Sequence, residues 1–464
     1  MEVKGKRVLV VGLGKSGVAS ALFLASRGAR VTVSDAKSED QLRDEIPALL
    51  DRGITVETGK HGERTFRDQD LIVVSPGVPS EVGPLQHARR LGIPVIGEIE
   101  LTARFLQGKI VAITGSNGKT TTTTLTGEII ASGGRKTLVG GNIGTPAITF
   151  VEHSSPDTWV VLEISSFQLE SIETFRPHIS AVLNVTPDHL DRHGSMENYI
   201  AAKARIFENQ TEEDFAVLNA DNEISRGLGE GLKPQVLWFS RHHEVERGAF
   251  VQGGWVVYRD GGETKILPLT EIALKGEHNV ENVLAGVAIG MAAGVEPAAI
   301  RRAVKDFRAV EHRLEYVATL RGVEYYNDSK ATNVDATIKA LESFPANIHL
   351  ILGGKDKGSD YGELRPLIAR RVKRVYTIGA AAAKIESQIG DAAPVTSAQT
   401  LESAVRKAAD LAVEGDIVLL APACASFDQF PSYEHRGRIF KELVQSLAAL
   451  QSSSPDASSP DGGR

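Results

Sequence analysis

Thr114-Gly115-Ser116-Asn117-Gly118-Lys119-Thr120-Thr121 closes an apolar, β-branched run and opens a threonine-rich stretch with a helical continuation. Strand, glycine loop and helix in that order make a phosphate cradle. Glycine amides can wrap an anion, the helix start adds partial positive charge, Lys119 can reach the β- and γ-phosphates, and Thr120 can ligand Mg²⁺. The spacing is GxxGKT rather than GxxxxGK[ST], because Ile113 stands where the longer loop has its first glycine. Downstream, Glu163 ends the apolar run Trp159-Val-Val-Leu-Glu163. A carboxylate there either holds Mg²⁺ opposite Thr120 or caps a neighbouring helix. Next comes Asn184-Val-Thr186-Pro187-Asp188-His189-Leu-Asp191-Arg192-His193, rich in ligand atoms and equally readable as a satisfied turn. Lys203 falls within Tyr199–Phe207, an amphipathic helix on which a lone lysine is ordinarily a solvated residue. A second glycine turn, Gly12-Leu-Gly14-Lys-Ser-Gly17, follows a strand and opens a helix, with Asp35 about 20 residues on. Taken alone it reads as a nicotinamide site. Its physical demand is only a backbone approach to a diphosphate and a carboxylate near a ribose or base, which a UDP-linked ligand meets too.

The elements that must position these residues alternate between short apolar β runs and helical patterns, as in α/β sheets. The expectation is three α/β domains: residues 1–97, Rossmann-like; residues 98–306, a central P-loop ATPase-type domain; and residues 307–450, again Rossmann-like. Residues 451–464, rich in Ser, Pro and Gly, read as a disordered tail. Strands are predicted at Arg7–Val11, Arg30–Ser34, Leu71–Val74, Thr158–Leu162, His178–Leu183, Ile348–Leu352, Arg374–Ile378 and Asp416–Leu420. A glycine-rich hairpin is predicted over Gly248–Tyr258.

At 464 residues, 42% hydrophobic and 24% charged, the chain has material for several cores. A formal charge of −7 and the lack of any Lys/Arg block argue against nucleic-acid or polybasic membrane binding. The single Cys424 excludes an intrachain disulfide and fits a reducing cytoplasm. The opening MEVKGKRVLVVGLG is too short in apolar residues for an export signal or a membrane span. Cys424 beside Ser426 invites a nucleophile reading, but a lone buried thiol is commonplace.

Together TGSNGKTT, EISSFQLE, NVTPDHLDRH, GEHNVEN, EHRLE, NDSKATN, LGGKDKG and PACASFDQF resemble the Mur ligase family, in order and over nearly the whole chain. The ASFDQF segment and the absence of an Asp-Asn-Pro-Arg signature resemble the branch that adds D-glutamate. The resemblance implies an ATP-dependent carboxylate–amine ligase acting on UDP-N-acetylmuramoyl-L-alanine and D-glutamate, with Mg²⁺, two ions expected, and a monomeric state. It implies UDP-substrate contacts from Gly14, Lys15, Ser16, Asp35, Ala36, Ser75 and Gly77, with Asn142, Ser165 and Gln168 on the muramoyl part. It implies ATP contacts from Gly115, Ser116, Asn117, Gly118, Lys119, Thr120, Thr121, His278, Asn279, Asn282, Arg313 and Asp328. Lys119, His189 and Lys203 are implied as catalytic; Thr120, Glu163, His189 and a carbamylated Lys203 as metal ligands. D-Glutamate would meet Lys330, Thr332, Lys357, Ser426, Phe427 and Tyr433. Domain closure is implied, with hinges expected near Gly97 and over residues 306–313. A folylpolyglutamate synthase-like ligase and an NAD-dependent oxidoreductase stand as alternatives.

Overall fold

Three β-sheets carry the chain in a computed structural model that describes residues 1–79, 81–274, 276–308 and 310–452. The tail expected to be disordered lies outside the described residues from 453 on, as does Ala309 within the segment read as a hinge. The described residues form two compact units, Met1–Ala273 with Val280–Phe307, and Leu274–Asn279 with the residues from Arg308 onward. No described helix is long and apolar enough to cross a membrane.

The first sheet comprises β1 (Arg7–Val11), β2 (Arg30–Ser34), β3 (Thr55–Glu57), β4 (Leu71–Val74) and β5 (Val95–Gly97), in the parallel order β3-β2-β1-β4-β5. The order reverses between β1 and β4, and in an open sheet of this kind the ligand crevice lies at that reversal, beyond the strand ends. The glycines of the turn there do separate jobs. Gly12 has φ +89°, and a Cβ on Gly17 would stand 1.8 Å from the Gly12 carbonyl oxygen. Only glycine lets the helix Lys15–Ser26 pack so closely on the turn.

The second sheet holds β6 (Lys109–Thr114), β7 (Thr137–Gly141), β8 (Trp159–Glu163), β9 (Ile179–Val182), β10 (Phe215–Asn219), β11 (Gln235–Ser240), β12 (Gly248–Gln252), β13 (Trp255–Arg259) and β14 (Glu263–Pro268). Its order is β14-β13-β12-β11-β10-β9-β6-β8-β7, antiparallel only from β12 to β14. The predicted hairpin is the β12–β13 pair. β8 and β9 are buried along their full length, which is why they read as mainly apolar runs, broken only by Ser180 and the terminal Glu163.

Gly97 leads directly into the helix Glu98–Ala103, whose carboxylates bind the first sheet's exit to the second sheet's surroundings. Glu100 accepts the amides of Glu173, Thr174 and Phe175, the Thr174 hydroxyl and the Arg104 guanidinium. Burial pushes this carboxyl up, but those hydrogen bonds outweigh it and hold it below the usual range. Gly97 itself lies against Ser171, whose Oγ would be 2.2 Å from an added Cβ.

The third sheet, in the second unit, contains β15 (Glu315–Leu320), β16 (Val323–Asn327), β17 (Ile348–Gly353), β18 (Val372–Ile378), β19 (Val395–Gln399) and β20 (Ile417–Leu420), in the order β15-β16-β20-β17-β18-β19. All its pairs are parallel except β15 with β16. The helix Tyr433–Ser452 follows β20 and contributes Phe440 and Val444 to one core face of this sheet. The aromatic pair Tyr325 and Tyr326 is strand core.

Candidate active site

β6 runs into the phosphate loop, and the helix Lys119–Ser132 leaves it through Gly118, which sits in the left-handed region at φ +82°. No side chain caps this helix, so its first amides face the loop. The loop's shape is imposed from the end of β9. Ser116 N donates to Asn184 O at 2.9 Å, Asn117 N to Asn184 Oδ1 at 2.8 Å, and Asn184 Nδ2 to Asn117 O at 3.1 Å. Ser116 Oγ accepts from Thr186 N and lies 3.1 Å from the Tyr199 hydroxyl. Lys119 Nζ folds back on the carbonyls of Gly115 and Ser116, both at 2.9 Å.

Beside the loop, Thr120 Oγ1 donates to Glu163 Oε2 at 2.6 Å, and Asn142 Nδ2 donates to Glu163 Oε1 at 3.0 Å. The Asn142 backbone also donates to the Glu163 carbonyl at 2.8 Å. Thus Thr120, Glu163 and Asn142, distant in sequence, are one cluster at the carboxyl ends of β6, β7 and β8. Lys203 completes it. Far from being solvated, it is 1% exposed, and its Nζ donates to Gly115 O at 2.9 Å and approaches Thr114 Oγ1 at 3.4 Å. Burial, reinforced by the Lys119 charge, holds its pKa well below the ordinary lysine value, against the pull of Asp188 and Glu163. A hydroxyl and a carboxylate in contact beside uncapped helix amides are the donor set a hard cation with phosphates requires. The described residues therefore fit Mg²⁺.

His189 begins the short helix Leu190–His193 in the left-handed region, φ 53°, with its Nε2 3.6 Å from Asp188 Oδ2. Its ring meets Phe167 edge-on at 5.0 Å, and Phe167 in turn stacks on His193 at 5.3 Å. His193 is held by Ser166 Oγ at 2.9 Å and Glu170 Oε1 at 3.4 Å. Arg192 lies 3.9 Å over the Phe167 ring and donates to the carbonyls of Pro76 and Val78 at 3.1 and 3.3 Å. In this way the Ser75–Gly77 turn of the first sheet is tied to the segment carrying His189. Ser75 Oγ donates to Gly12 O at 2.8 Å, closing the two loops of the first sheet on each other. Asp35 takes the amides of Leu13 at 2.7 Å and Lys37 at 2.8 Å, so it holds the glycine turn as well as facing the crevice end of β2. Ser165 and Gln168 form a capping box at the helix Ser166–Leu169. Asn282 accepts from Thr122 Oγ1 at 3.1 Å and stands 2.3 Å from a Cβ built on Gly118.

The second unit carries the remaining candidates. Lys330 Nζ lies 5.4 Å over the Tyr433 ring, and Thr332 N donates to Lys330 O at 2.8 Å. The Ser426 hydroxyl and Arg313 Nε are buried with no hydrogen-bond partner among the described residues. Phe427 is 68% exposed. Asp328 is pushed up to about 6 by burial, partly offset by Arg313 and Lys330. His278 is pushed down to about 3 by burial, with Arg313 and Lys339 adding to it, and is neutral. Arg436, buried and pulled down to about 10 by desolvation, grips the carbonyls of Ser329 and Cys424 beside these residues.

Sequence reasoning overlooked Tyr199, which lies under Lys203 with Nζ 4.6 Å from its ring centroid, and Arg436. Tyr199 had a signal, since it is one helical turn from Lys203 and therefore on the same face. Arg436 had none, because its partners are more than a hundred residues away on one side.

Family models match in the same order as the sheets: a Mur ligase MurD-like N-terminal domain over residues 6–97, a Mur ligase middle domain over 113–290, and a Mur ligase glutamate ligase domain over 312–424. The chain is 68% identical over 97% of its length to 99% of the UDP-N-acetylmuramoylalanine–D-glutamate ligase of Koribacter versatilis. It is 59% identical over 98% of its length to the whole of the like-named ligase of Acidobacterium capsulatum. Among solved structures, the UDP-N-acetylmuramate-alanine ligase MurC of Thermotoga maritima superposes with a TM-score of 0.61 at 20% identity, covering 95% of this chain and all of that one. MurF of Acinetobacter baumannii does so with 0.60 at 16%, covering 96% of this chain and 91% of that one. These last two speak for the fold.

Proposed function

The chain belongs to the Mur ligase family, ATP-dependent amide ligases of peptidoglycan synthesis, and from that premise we propose that it joins D-glutamate to the alanine carboxylate of UDP-N-acetylmuramoyl-L-alanine. ADP and phosphate are the other products. The observation that carries this reading is the cluster of Lys119, Thr120, Glu163 and buried Lys203 around one phosphate loop. A carboxylate is a poor electrophile, so it is first phosphorylated by ATP. Lys119 neutralises charge on the transferring phosphoryl group, and the amides at the start of the helix Lys119–Ser132, which no side chain caps, face it. Thr120, Glu163, His189 and Lys203 as its carbamate would hold Mg²⁺, two ions in this reading, and the metal would supply neutralising charge to the phosphates.

Lys203 suits that modification because burial and the neighbouring Lys119 charge favour its uncharged amine. A neutral amine has two hydrogens, directed at Gly115 O and Thr114 Oγ1, and one lone pair. That pair attacks carbon dioxide, the C–N bond forms as a C–O π pair moves onto oxygen, and one proton leaves, turning a neutral amine into an anionic carbamate. The unprotonated amine of D-glutamate then attacks the acyl phosphate, a tetrahedral oxyanion forms, and phosphate departs. Lys330, Thr332, Lys357, Ser426, Phe427 and Tyr433 receive D-glutamate, with the unsatisfied Ser426 hydroxyl as a ready donor. Gly14, Lys15, Ser16, Asp35, Ala36, Ser75 and Gly77 receive the UDP part, and Asn142, Ser165 and Gln168 the muramoyl part. Asn279, Asn282, Arg313 and Asp328 complete the nucleotide grip.

Residues 1–97, 98–306 and 307–450 are the corresponding functional domains of a cytoplasmic monomer. A folylpolyglutamate synthase-like activity is the second reading, and the MurD-like N-terminal match over residues 6–97 favours the UDP-linked acceptor over it. Incubation with UDP-N-acetylmuramoyl-L-alanine, D-glutamate and MgATP should give the amide and ADP in equal amounts by mass spectrometry. ADP without amide would contradict the proposal.

A further inference from the structure

The one cysteine of the chain takes no part in this chemistry, yet its thiol ends a directed chain of hydrogen bonds. Cys424 Sγ lies 2.9 Å from the Tyr361 hydroxyl oxygen, which lies 2.8 Å from Asp356 Oδ1. An ionised carboxylate only accepts, so the phenol hydrogen goes to Asp356 and the thiol donates to the phenol oxygen. Asp356 Oδ1 also accepts the amides of Gly358 and Ser359, both at 3.2 Å, and Oδ2 accepts Lys384 Nζ at 2.8 Å. One carboxylate thereby folds the loop that follows β17. The loop needs such a hold, because Gly353, Gly354 and Gly358 have φ +124°, +138° and +81° and impose little shape of their own.

Lys357 is the residue between Asp356 and the first amide that it binds. On the other side, Lys355 and Ala425 form an isolated antiparallel bridge, with N···O distances of 2.8 and 3.2 Å, one residue before Ser426. The Lys357 loop and the Ser426 loop are therefore stapled twice, once by backbone and once through Asp356, Tyr361 and Cys424.

We infer that Asp356, Tyr361 and Cys424 are positioning residues for the amino-acid substrate, fixing Lys357 and Ser426 at the spacing that receives an α-amino dicarboxylate. The inference rests on the reading above, in which those two residues hold D-glutamate. Each of these hydrogen bonds is made within the second unit, so their loss should act on the amino-acid substrate and leave ATP binding alone.

Tyr361→Phe keeps the ring and removes the hydroxyl. It should raise the KM for D-glutamate about tenfold, the equivalent of one lost hydrogen bond to a charged group, and leave the KM values for ATP and the UDP substrate within about twofold. Asp356→Asn should do the same or more. Cys424→Ser, which keeps a donor, should stay near the wild type. A flat D-glutamate KM in Tyr361→Phe, or a joint rise of all KM values, overturns the inference. So does failure of both Tyr361→Phe and Asp356→Asn to fold, which would assign the network to stability alone. Wild-type enzyme without D-glutamate turnover would instead defeat the functional reading, and the two failures are thus distinct.

Discussion

At the residue scale the decisive group is Lys203, a lysine on an amphipathic helix that proves to be buried against the phosphate loop. Its helical period was legible; its burial was not, because Thr114 and Gly115 lie nearly ninety residues earlier. Lys203→Ala should have no measurable ligase activity and regain part of it with added short carboxylic acids, which restore the missing anion. A fully active Lys203→Ala would remove the carbamate from the mechanism. Glu98 is a second buried titrating group with a different consequence. Burial raises it from 4.5 to about 7, against hydrogen bonds from Ile148, Thr102 and Ala147. Between those values the native chain holds a proton that the unfolded chain releases, so the contribution of Glu98 to stability is fully present below about 4.5 and is lost as pH rises to about 7. The full span is on the order of 3 kcal/mol. Glu98→Gln should flatten that slope in chemical denaturation followed from pH 5 to 8; an unchanged slope would show that Glu98 does not titrate there.

At the scale of elements, the phosphate loop is held less by itself than by Asn184 and Thr186 at the end of β9. The loop motif and the strand before it could be read directly, since glycine spacing and β-branched runs are local signals. The latch could not, because Asn184 was one member of a polar turn with two equal interpretations until β9 was placed beside β6. Likewise the glycine turn at Gly12–Gly17 was legible as a strand-to-helix turn, while the use of Asp35 to bind the Leu13 and Lys37 amides appears only in three dimensions. Gly118 tests the element as a whole. Alanine there must adopt φ +82° and meet the Asn282 carboxamide at 2.3 Å. The left-handed conformation alone costs about 1–2 kcal/mol. Gly118→Ala should therefore raise the KM for ATP at least about tenfold and lower the melting temperature by roughly a few degrees. Retained ATP affinity would mean the loop is not the nucleotide cradle.

At the scale of the whole molecule, the alternating β and helical pattern gave α/β architecture, and all three sheets are mainly parallel. What composition could not show is how the first sheet is joined to the second. Glu100 collects the amides of residues 173–175, and Arg192 reaches the carbonyls of Pro76 and Val78, so Met1–Ala273 with Val280–Phe307 is one unit. Long-range side-chain-to-backbone contacts of this sort leave no periodic trace in a sequence. They place the Ser75–Gly77 turn and the His189 segment in a fixed relation. The central claim, a ligase that selects D-glutamate, is tested most directly by phosphate release from MgATP with UDP-N-acetylmuramoyl-L-alanine and a panel of amino acids. Release should rise with D-glutamate and remain at background with L-glutamate, diaminopimelate or L-lysine; stimulation by any of those without D-glutamate would contradict it.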